Sequence, residues 1–517
     1  MKKEVELRRY HAPVWSEPLI MEMGSRGQRG IAIPEAEREV TSVGEAELRI
    51  PVQLRRKNPP KLPELAQPQI LRHFLHLTQQ TLGMEETIDI SSGTCTMKYS
   101  PKINEILARM PQITEIHPSQ EEQTIQGILE VIYKFELICR EISGMDQFCF
   151  QPGGGSHATY LNACLLRAYH DANNELSQRN EVITTIFSHP CDTASPLTAG
   201  FKVISLMPDR YGYPDLEALK AACSKNTAGL MITNPEDTGI YNPRIEEYVR
   251  AVHAVGGLCF YDQANLNGII GIARARDAGF DACHFNLHKT FSTPHGCMGP
   301  ACGAYGVQKE LVKFLPIPAV TFDGEKYHLE YDRPDSIGKI REFLGNVEVI
   351  LKAYAWTMSM GADGLLEVAR VSVLNNNYLD RLLMAIPGIT KPYPDEGRLD
   401  QVRYSWQKLT DETGVTTEDL RRRMVDFGIT QYFHSHHPWI IPEPMTPEPC
   451  ETYSKEDCEY WAAVLEQIVR EAYSNPDLVK GAPHNSTIHQ LDPSPFDDPE
   501  RWAMTWRAYV KKKQHRE

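Results

Sequence analysis

From residue 147 to residue 287 the chain repeats one unit: a short run of consecutive apolar residues, then a longer segment with helical spacing. Strands are read at 147–150, 182–187, 202–206, 228–233, 257–261 and, last, 282–285, with helices at 156–169, 215–223 and 244–255. Runs rich in Val, Ile and Phe with no polar alternation must be covered on both faces. Helices between them supply that cover and return the chain to start the next strand in the same direction. The expected class is α/β, with a mostly parallel central sheet and helices on both of its faces. In such a sheet ligands gather beyond the carboxyl ends of the strands.

The polar residues of interest fall at those ends. Lys289 stands between His288 and His295 in Phe285-Asn286-Leu287-His288-Lys289-Thr290-Phe291-Ser292-Thr293-Pro294-His295-Gly296. A lysine that only solvates a surface needs no such setting; one that bonds to an aldehyde must be aimed, and neutral part of the time. Asp262 closes an apolar run, where a carboxylate is costly unless paired. It can cap a helix, join an ion pair, or hold a pyridine nitrogen in its protonated form. His189, in Ser188-His189-Pro190, is either a turn residue or a flat ring for stacking, and Asn234-Pro235 reads as a turn. Gln151-Pro152-Gly153-Gly154-Gly155-Ser156-His157 joins a strand to a helix. Its glycines make a sharp turn and let the backbone approach an anion at a helix N-terminus. The loop lacks the Lys-Ser/Thr ending of a nucleoside-triphosphate loop, which disfavours ATP. A glycine-rich cup, a stacking ring, an acid and then a lysine, in that order, outline a pyridoxal-phosphate site.

Three regions are expected: an extended N-terminal arm at 1–68, a large cofactor-binding α/β domain at 69–330, and a smaller C-terminal α+β domain with a tail at 331–517. The arm is read from its prolines, which remove backbone donors and favour extended chain that wraps another surface. A formal net charge of −14 argues against nucleic-acid binding. The start carries no apolar core of signal-peptide length and no run approaches a membrane span, so a cytoplasmic location is expected. The twelve cysteines are scattered. Cys297 and Cys302 have no companion pair nearby, so the thiols read as reduced and no metal site is expected.

Several motifs together match a known family. They are Gly93-Thr94-Cys95-Thr96-Met97-Lys98-Tyr99, His117-Pro118, Gln151-Pro152, Thr233-Asn234-Pro235, Tyr261-Asp262-Gln263-Ala264-Asn265-Leu266-Asn267, Asn286-Leu287-His288-Lys289-Thr290-Phe291, Gly361-Ala362-Asp363-Gly364-Leu365 and Ala482-Pro483-His484. The chain resembles, from about residue 18 to residue 492, the glycine-cleavage P-protein, specifically the half that some bacteria make as a separate subunit 2. The resemblance implies fold type I of the pyridoxal-phosphate enzymes, with Lys289 bonded to the cofactor, Asp262 on its ring nitrogen and His189 stacked on its ring. It places Gly154, Gly155 and Ser156 at the phosphate, adds Asn234 and Asn265 as cofactor contacts, and makes His288 and His295 candidates for handling protons. The implied activity is decarboxylation of glycine with transfer of the aminomethyl group to the lipoyl arm of H-protein. The implied partners are a separate subunit 1, in two copies of each chain, and lipoylated H-protein.

Four departures cluster around the presumed pocket. After Gln-Pro the family usually has Ala-Ala-Gly-Ala-His-Gly-Glu, where this chain has Gly-Gly-Gly-Ser-His-Ala-Thr. The stacking histidine is usually followed by Gly-Thr-Asn-Pro, here Pro190-Cys191-Asp192-Thr193. A four-glycine run becomes Gly296-Cys297-Met298-Gly299, and Gln263 stands where glycine is usual. The cofactor anchors match while the substrate-side loops differ. Two other readings are therefore carried: a fold type I enzyme acting on another amino acid, and a non-catalytic partner subunit.

Overall fold

The computed structural model describes residues 5–32, 34–42, 49–58, 60–83, 85–90, 98–294, 301–430, 440–491 and 505–514. A seven-stranded sheet lies at its centre: β1 (Gln147–Cys149), β2 (Glu181–Thr185), β3 (Lys202–Leu206), β4 (Thr227–Thr233), β5 (Leu258–Asp262), β6 (Ala282–Asn286) and β7 (Gly303–Val307). The strand order is β1-β7-β6-β5-β4-β2-β3. The neighbours from β6 to β3 pair in parallel, and β7 pairs antiparallel with both β6 and β1.

The central strands are buried on both faces, which is why they show no polar alternation. On β4, Ala228 and Met231 pack into one core while Leu230 and Ile232 pack into the core on the opposite face. On β5, Phe260 belongs to the first, and Cys259 and Tyr261 to the second. Burying each Leu, Ile, Met or Phe side chain among these contributes about 1.5–3 kcal/mol.

The covering helices follow from their apolar spacing. Helix α1 (Gln67–Gln79) precedes the sheet, and α2 (Gln126–Ser143) packs Ile128, Leu129, Ile132 and Phe135 against one face. Helix α3 (Gly155–Ala172) covers the other face through Leu161, Leu165 and Leu166. After the short α4 (Cys191–Thr198), α5 (Leu216–Ala222) and α6 (Ile245–His253) join α2 on its side of the sheet. Helix α7 (Val347–Leu383) spans two cores, with Val349, Ile350 and Trp356 in the sheet's core and Leu379 and Leu383 in a second one. The second core gathers Trp406, Trp461, Tyr404 and residues of α8 (Thr417–Met424) and α9 (Lys455–Ser474), and it also takes in Ile88 and Ile90.

Two elements beside the site differ from the sequence reading. The strand at 282–285 is not the last: β7 follows and inserts between β6 and β1. Its Gly-Ala-Tyr-Gly-Val composition hides it, because glycine depresses strand propensity. The glycine at 306 has a cause, since a Cβ there would lie 2.3 Å from Cζ of Phe148 on the neighbouring strand. Helix α4 was also unread, because Pro190 precedes it and Pro196 sits inside it.

The described residues of the stretch 5–66 are mostly irregular, with short helical turns at Ile20–Glu22, Arg38–Ser42 and Val52–Leu54. Its start lies along the second core, where Tyr10 N–H donates to Asp426 O at 3.0 Å and Ala12 N–H to Asn485 O at 2.9 Å. Further on, Trp15 stacks on His76 of α1 at 4.0 Å. Val14, Ile31, Val52, Leu54 and Leu62 remain exposed, as do Leu71, Phe74 and Leu75 of α1.

The loop after β4 is stitched to residues 399–401. Leu399 N–H donates to Gly239 O at 3.0 Å, and Gln401 Nε2 donates to Glu236 O at 3.1 Å. Gly239 has φ +79°, and a Cβ on it would fall 1.9 Å from Gln401 O. Gly239→Ala is therefore expected to destabilise the protein by about 2–4 kcal/mol. Thermal unfolding checks this: an unchanged Tm would show that the loop and the 399–401 segment are not held this closely.

Candidate active site

Three parallel strands end side by side, and the polar residues singled out above sit just past those ends. On β5, Asp262 is 4% exposed, and its Oδ1 accepts from the Ala264 N–H at 2.9 Å. Its register partner on β6 is His284, whose Nε2 lies 3.5 Å from that same oxygen. His284 stacks flat on Phe260, with centroids 5.5 Å apart, and burial pushes its pKa down, favouring the neutral ring.

β6 runs out at Asn286 into a tight turn. Lys289 N–H donates to Asn286 O and Ser292 N–H to Lys289 O, both at 3.1 Å, with Ser292 at φ +59°. The turn folds Lys289 inward, leaving it 3% exposed, with His288 and Thr290 buried beside it. Thr290 Oγ1 accepts from Leu266 N–H at 2.8 Å, which ties the lysine turn to the loop after β5. Asn265 in that loop donates through Nδ2 to Glu448, while its Oδ1 accepts from Asn267 N–H at 2.8 Å.

The glycine-rich loop delivers α3 to the same place. Gly154 occupies φ +152°, ψ −172°, a backbone region essentially reserved for glycine, and α3 begins at the next residue with no side-chain cap. Its first N–H groups are therefore available to an anion, with the helix dipole favouring negative charge. Gly155 faces Asn286, since a Cβ there would lie 2.7 Å from Asn286 Nδ2, and Ser156 is exposed on the first turn. Gly153 lies under Arg341, whose Nη1 would be 2.8 Å from a Cβ at that glycine.

His189 follows β2. Its Nδ1 accepts from the Cys191 N–H at 3.1 Å and lies 2.8 Å from Cys191 Sγ, so the start of α4 sets the orientation of the ring. Thr159 and Ser195 meet at 2.8 Å and pin α4 to α3. Asn234 is turned differently: its Nδ2 donates to Asn242 O at 3.2 Å and its Oδ1 accepts from Asn242 N–H at 2.7 Å, so its amide braces the turn after β4. The structure thus brings Lys289, His288, Asp262, His189, Asn265, Gly154, Gly155 and Ser156 to one end of the sheet. His295, Gly296, Cys297, Met298 and Gly299 lie outside the described residues.

Several groups at this end were given no role from the sequence, Asp192 being named there only within a loop that departs from the family pattern. Asp192 on α4 packs against Asp262. Glu236 is pushed up to about 8 by burial, although the Thr185 hydroxyl donates to it. Arg403 pairs with Asp237 at 2.5 Å and lies 5.7 Å from the ring centre of Phe187. Asp400, packed against Gly268, is pushed up to about 7 by burial and by Glu448, while the charge of Lys289 pulls it the other way. Glu448 accepts from Asn267 Nδ2 at 3.0 Å. These residues lie far apart along the chain: the strand order brings Asp192, Glu236 and Asp237 to this end, and the packing of the second core against the sheet adds Arg403, Asp400 and Glu448.

No protein-family model matches the chain. Individual relatives do. A protein of Pyrococcus abyssi named probable glycine dehydrogenase (decarboxylating) subunit 2 is 42% identical over 510 residues, spanning 98% of this chain and 99% of the relative. A protein of the same name from Caldanaerobacter subterraneus is 41% identical over 481 residues, covering 92% and 96%. The chain belongs to the glycine dehydrogenase (decarboxylating) subunit 2 family. In fold it is similar to a crystal structure of glycine decarboxylase (P-protein) of the glycine cleavage system, with a TM-score of 0.71, 18% identity, and coverage of 85% of this chain and 100% of that one. It is also similar to the cysteine desulfurase CsdA of Escherichia coli, with a TM-score of 0.56 and 14% identity over 79% of this chain and 99% of that one. The fold is type I of the pyridoxal-phosphate enzymes. The site suits that cofactor on its own terms. It holds a buried lysine, a buried carboxylate at an adjacent strand end, an imidazole held by the backbone, and an uncapped helix start reached through glycines.

Proposed function

We propose that this member of the subunit 2 family carries pyridoxal 5'-phosphate on Lys289 and decarboxylates glycine, passing the aminomethyl group to the lipoyl arm of an H-protein. The observation that carries the proposal is the burial of Lys289 and Asp262 at the ends of adjacent parallel strands, in a chain with full-length relatives of that name. When bound, the cofactor supplies an electron sink for the pair left behind as carbon dioxide departs.

The chain's own groups do the rest. Asp262 holds the ring nitrogen protonated, because a negative charge nearby favours the charged form of the base. The neutral His284 supports Asp262 from the next strand without competing for its charge. His189 offers its ring as a stacking surface, and the N-terminus of α3, with Gly154, Gly155 and Ser156, receives the phosphate; Arg341 adds positive charge beside Gly153. Asn265 supports the lysine turn through Thr290 and Glu448. The burial of Lys289, His288 and Thr290 excludes water from the lysine amine and strengthens every charge interaction there. His288 next to the lysine, and His295 beyond it, are the residues proposed to move protons to and from the substrate carbon.

The partner is a separate subunit 1, two copies of each chain forming the enzyme, and the location is cytoplasmic. The apolar side chains exposed on the 5–66 stretch and on α1 support a chain that is covered in assembly. Among the described residues no helix is long and apolar enough to cross a membrane.

Glycine–bicarbonate exchange with lipoylated H-protein, measured on the chain co-purified with its subunit 1, tests the proposal. Exchange dependent on both glycine and H-protein is expected. A cofactor-loaded complex that shows none would point to another amino-acid substrate. A purified protein with no absorbance band that changes on borohydride treatment would remove the catalytic reading altogether.

A further inference from the structure

Asp192 occupies the second position of α4, directly behind His189, and it is 0% exposed. Its carboxyl oxygen, an oxygen of Asp262 and the Cys191 thiol lie within 4.8 Å of one another. Neither oxygen of Asp192 has an N–H or hydroxyl donor among the described residues. An ionised Asp192 would therefore be a buried charge without a donor, beside a second carboxylate. A neutral one removes both costs, because its O–H becomes a donor aimed at Asp262.

We infer that Asp192 is a positioning residue: it carries a proton at neutral pH and donates it in a hydrogen bond to Asp262, so that Asp262 faces the cofactor ring as one oriented negative charge. This rests on the reading that Lys289 and Asp262 hold pyridoxal phosphate. The surroundings favour the proton. Burial raises the pKa of Asp192 well above the usual carboxylate range, and so do Asp262 on β5 and Asp237 and Glu236 after β4. Of the other titratable groups at this end, Cys191 on α4 stays a thiol through burial, and His189 is tied to Cys191. Arg403 is paired with Asp237, His284 is a neutral ring beside Asp262, and Lys289 lies in the turn after β6.

The sign of the pH dependence follows. Above the ordinary aspartate pKa the folded chain binds a proton at Asp192 that the unfolded chain has lost. The stability contributed by Asp192 is thus full in acid and falls as pH rises toward its folded pKa. Asp192→Asn keeps a donor for Asp262 and removes the titration; Asp192→Ala removes both.

The test measures Tm of the cofactor-free protein between pH 5 and 8, together with absorbance titration of the same proteins with pyridoxal phosphate. The Tm advantage of Asp192→Asn over the wild type should widen by about 1–2 °C per pH unit. Asp192→Asn should bind the cofactor within about threefold of the wild type at pH 6, and Asp192→Ala at least about tenfold more weakly. Parallel Tm curves for wild type and Asp192→Asn would overturn the inference, as would wild-type cofactor affinity in Asp192→Ala. A wild type that binds no cofactor but shows the widening Tm gap would sink the cofactor reading and leave the protonated Asp192 standing.

Discussion

Lys289→Ala is expected to lower glycine–bicarbonate exchange by at least about three orders of magnitude. It should also abolish the absorbance change on borohydride treatment. The size of the effect comes from placement. Lys98, another buried lysine, is committed to Glu451 at 2.7 and 3.0 Å and lies 5.0 Å from the ring centre of Trp356. It cannot take over without breaking a buried ion pair, which is strongly unfavourable. Near-normal exchange in Lys289→Ala would show that the covalent anchor lies elsewhere.

Asp262→Asn ranks second. The substitution keeps the shape and the hydrogen-bonding oxygen toward Ala264 N–H, but removes the negative charge that holds a ring nitrogen protonated. Each pKa unit lost at that nitrogen is a factor of ten in the protonated fraction near its titration range. A loss of about two to three orders of magnitude in exchange is therefore expected, with weaker cofactor binding. Asp262→Glu should recover part of the activity, because the charge returns in a displaced position. Equal activity in Asp262→Asn and the wild type would assign Asp262 a purely structural part, as partner of His284 and Ala264.

The two residues at the heart of these predictions were legible in the sequence for a local reason. Asp262 closes an apolar strand, and Lys289 follows the next strand with a histidine beside it and hydroxyl residues behind. Apolar runs report burial and period, and a polar residue at the end of such a run is placed at the carboxyl edge of the sheet whatever the rest of the fold does. The Gly153–Gly155 loop was legible in the same way, as a strand-to-helix junction with unusual backbone freedom. Asn234 was legible from its own residues as a turn, with a cofactor contact implied only by the family resemblance, and the structure finds its amide bonded within that turn to Asn242.

Other features left no local trace. β7 carries glycine at 306 because Phe148 of its neighbour lies across that position, so the reason for the residue sits on another strand. Arg341 reaches the glycine loop from beyond the sheet, and Asp400 and Glu448 reach the lysine turn from the segment that builds the second core.

The sequence by itself determined a mostly parallel α/β sheet, the strand ends at which chemistry could occur, and the lysine and aspartate that stand there. Those are consequences of chain-local hydrophobic period and of which groups water would otherwise claim. The tertiary structure alone decided the strand order β7-β6-β5-β4-β2, and with it which ends became neighbours. That order sets His284 beside Asp262 and lets α4 carry Asp192 against the same carboxylate. Strand order arises from packing between segments distant in sequence, where the free energy depends on how two surfaces fit, and no local pattern encodes that fit.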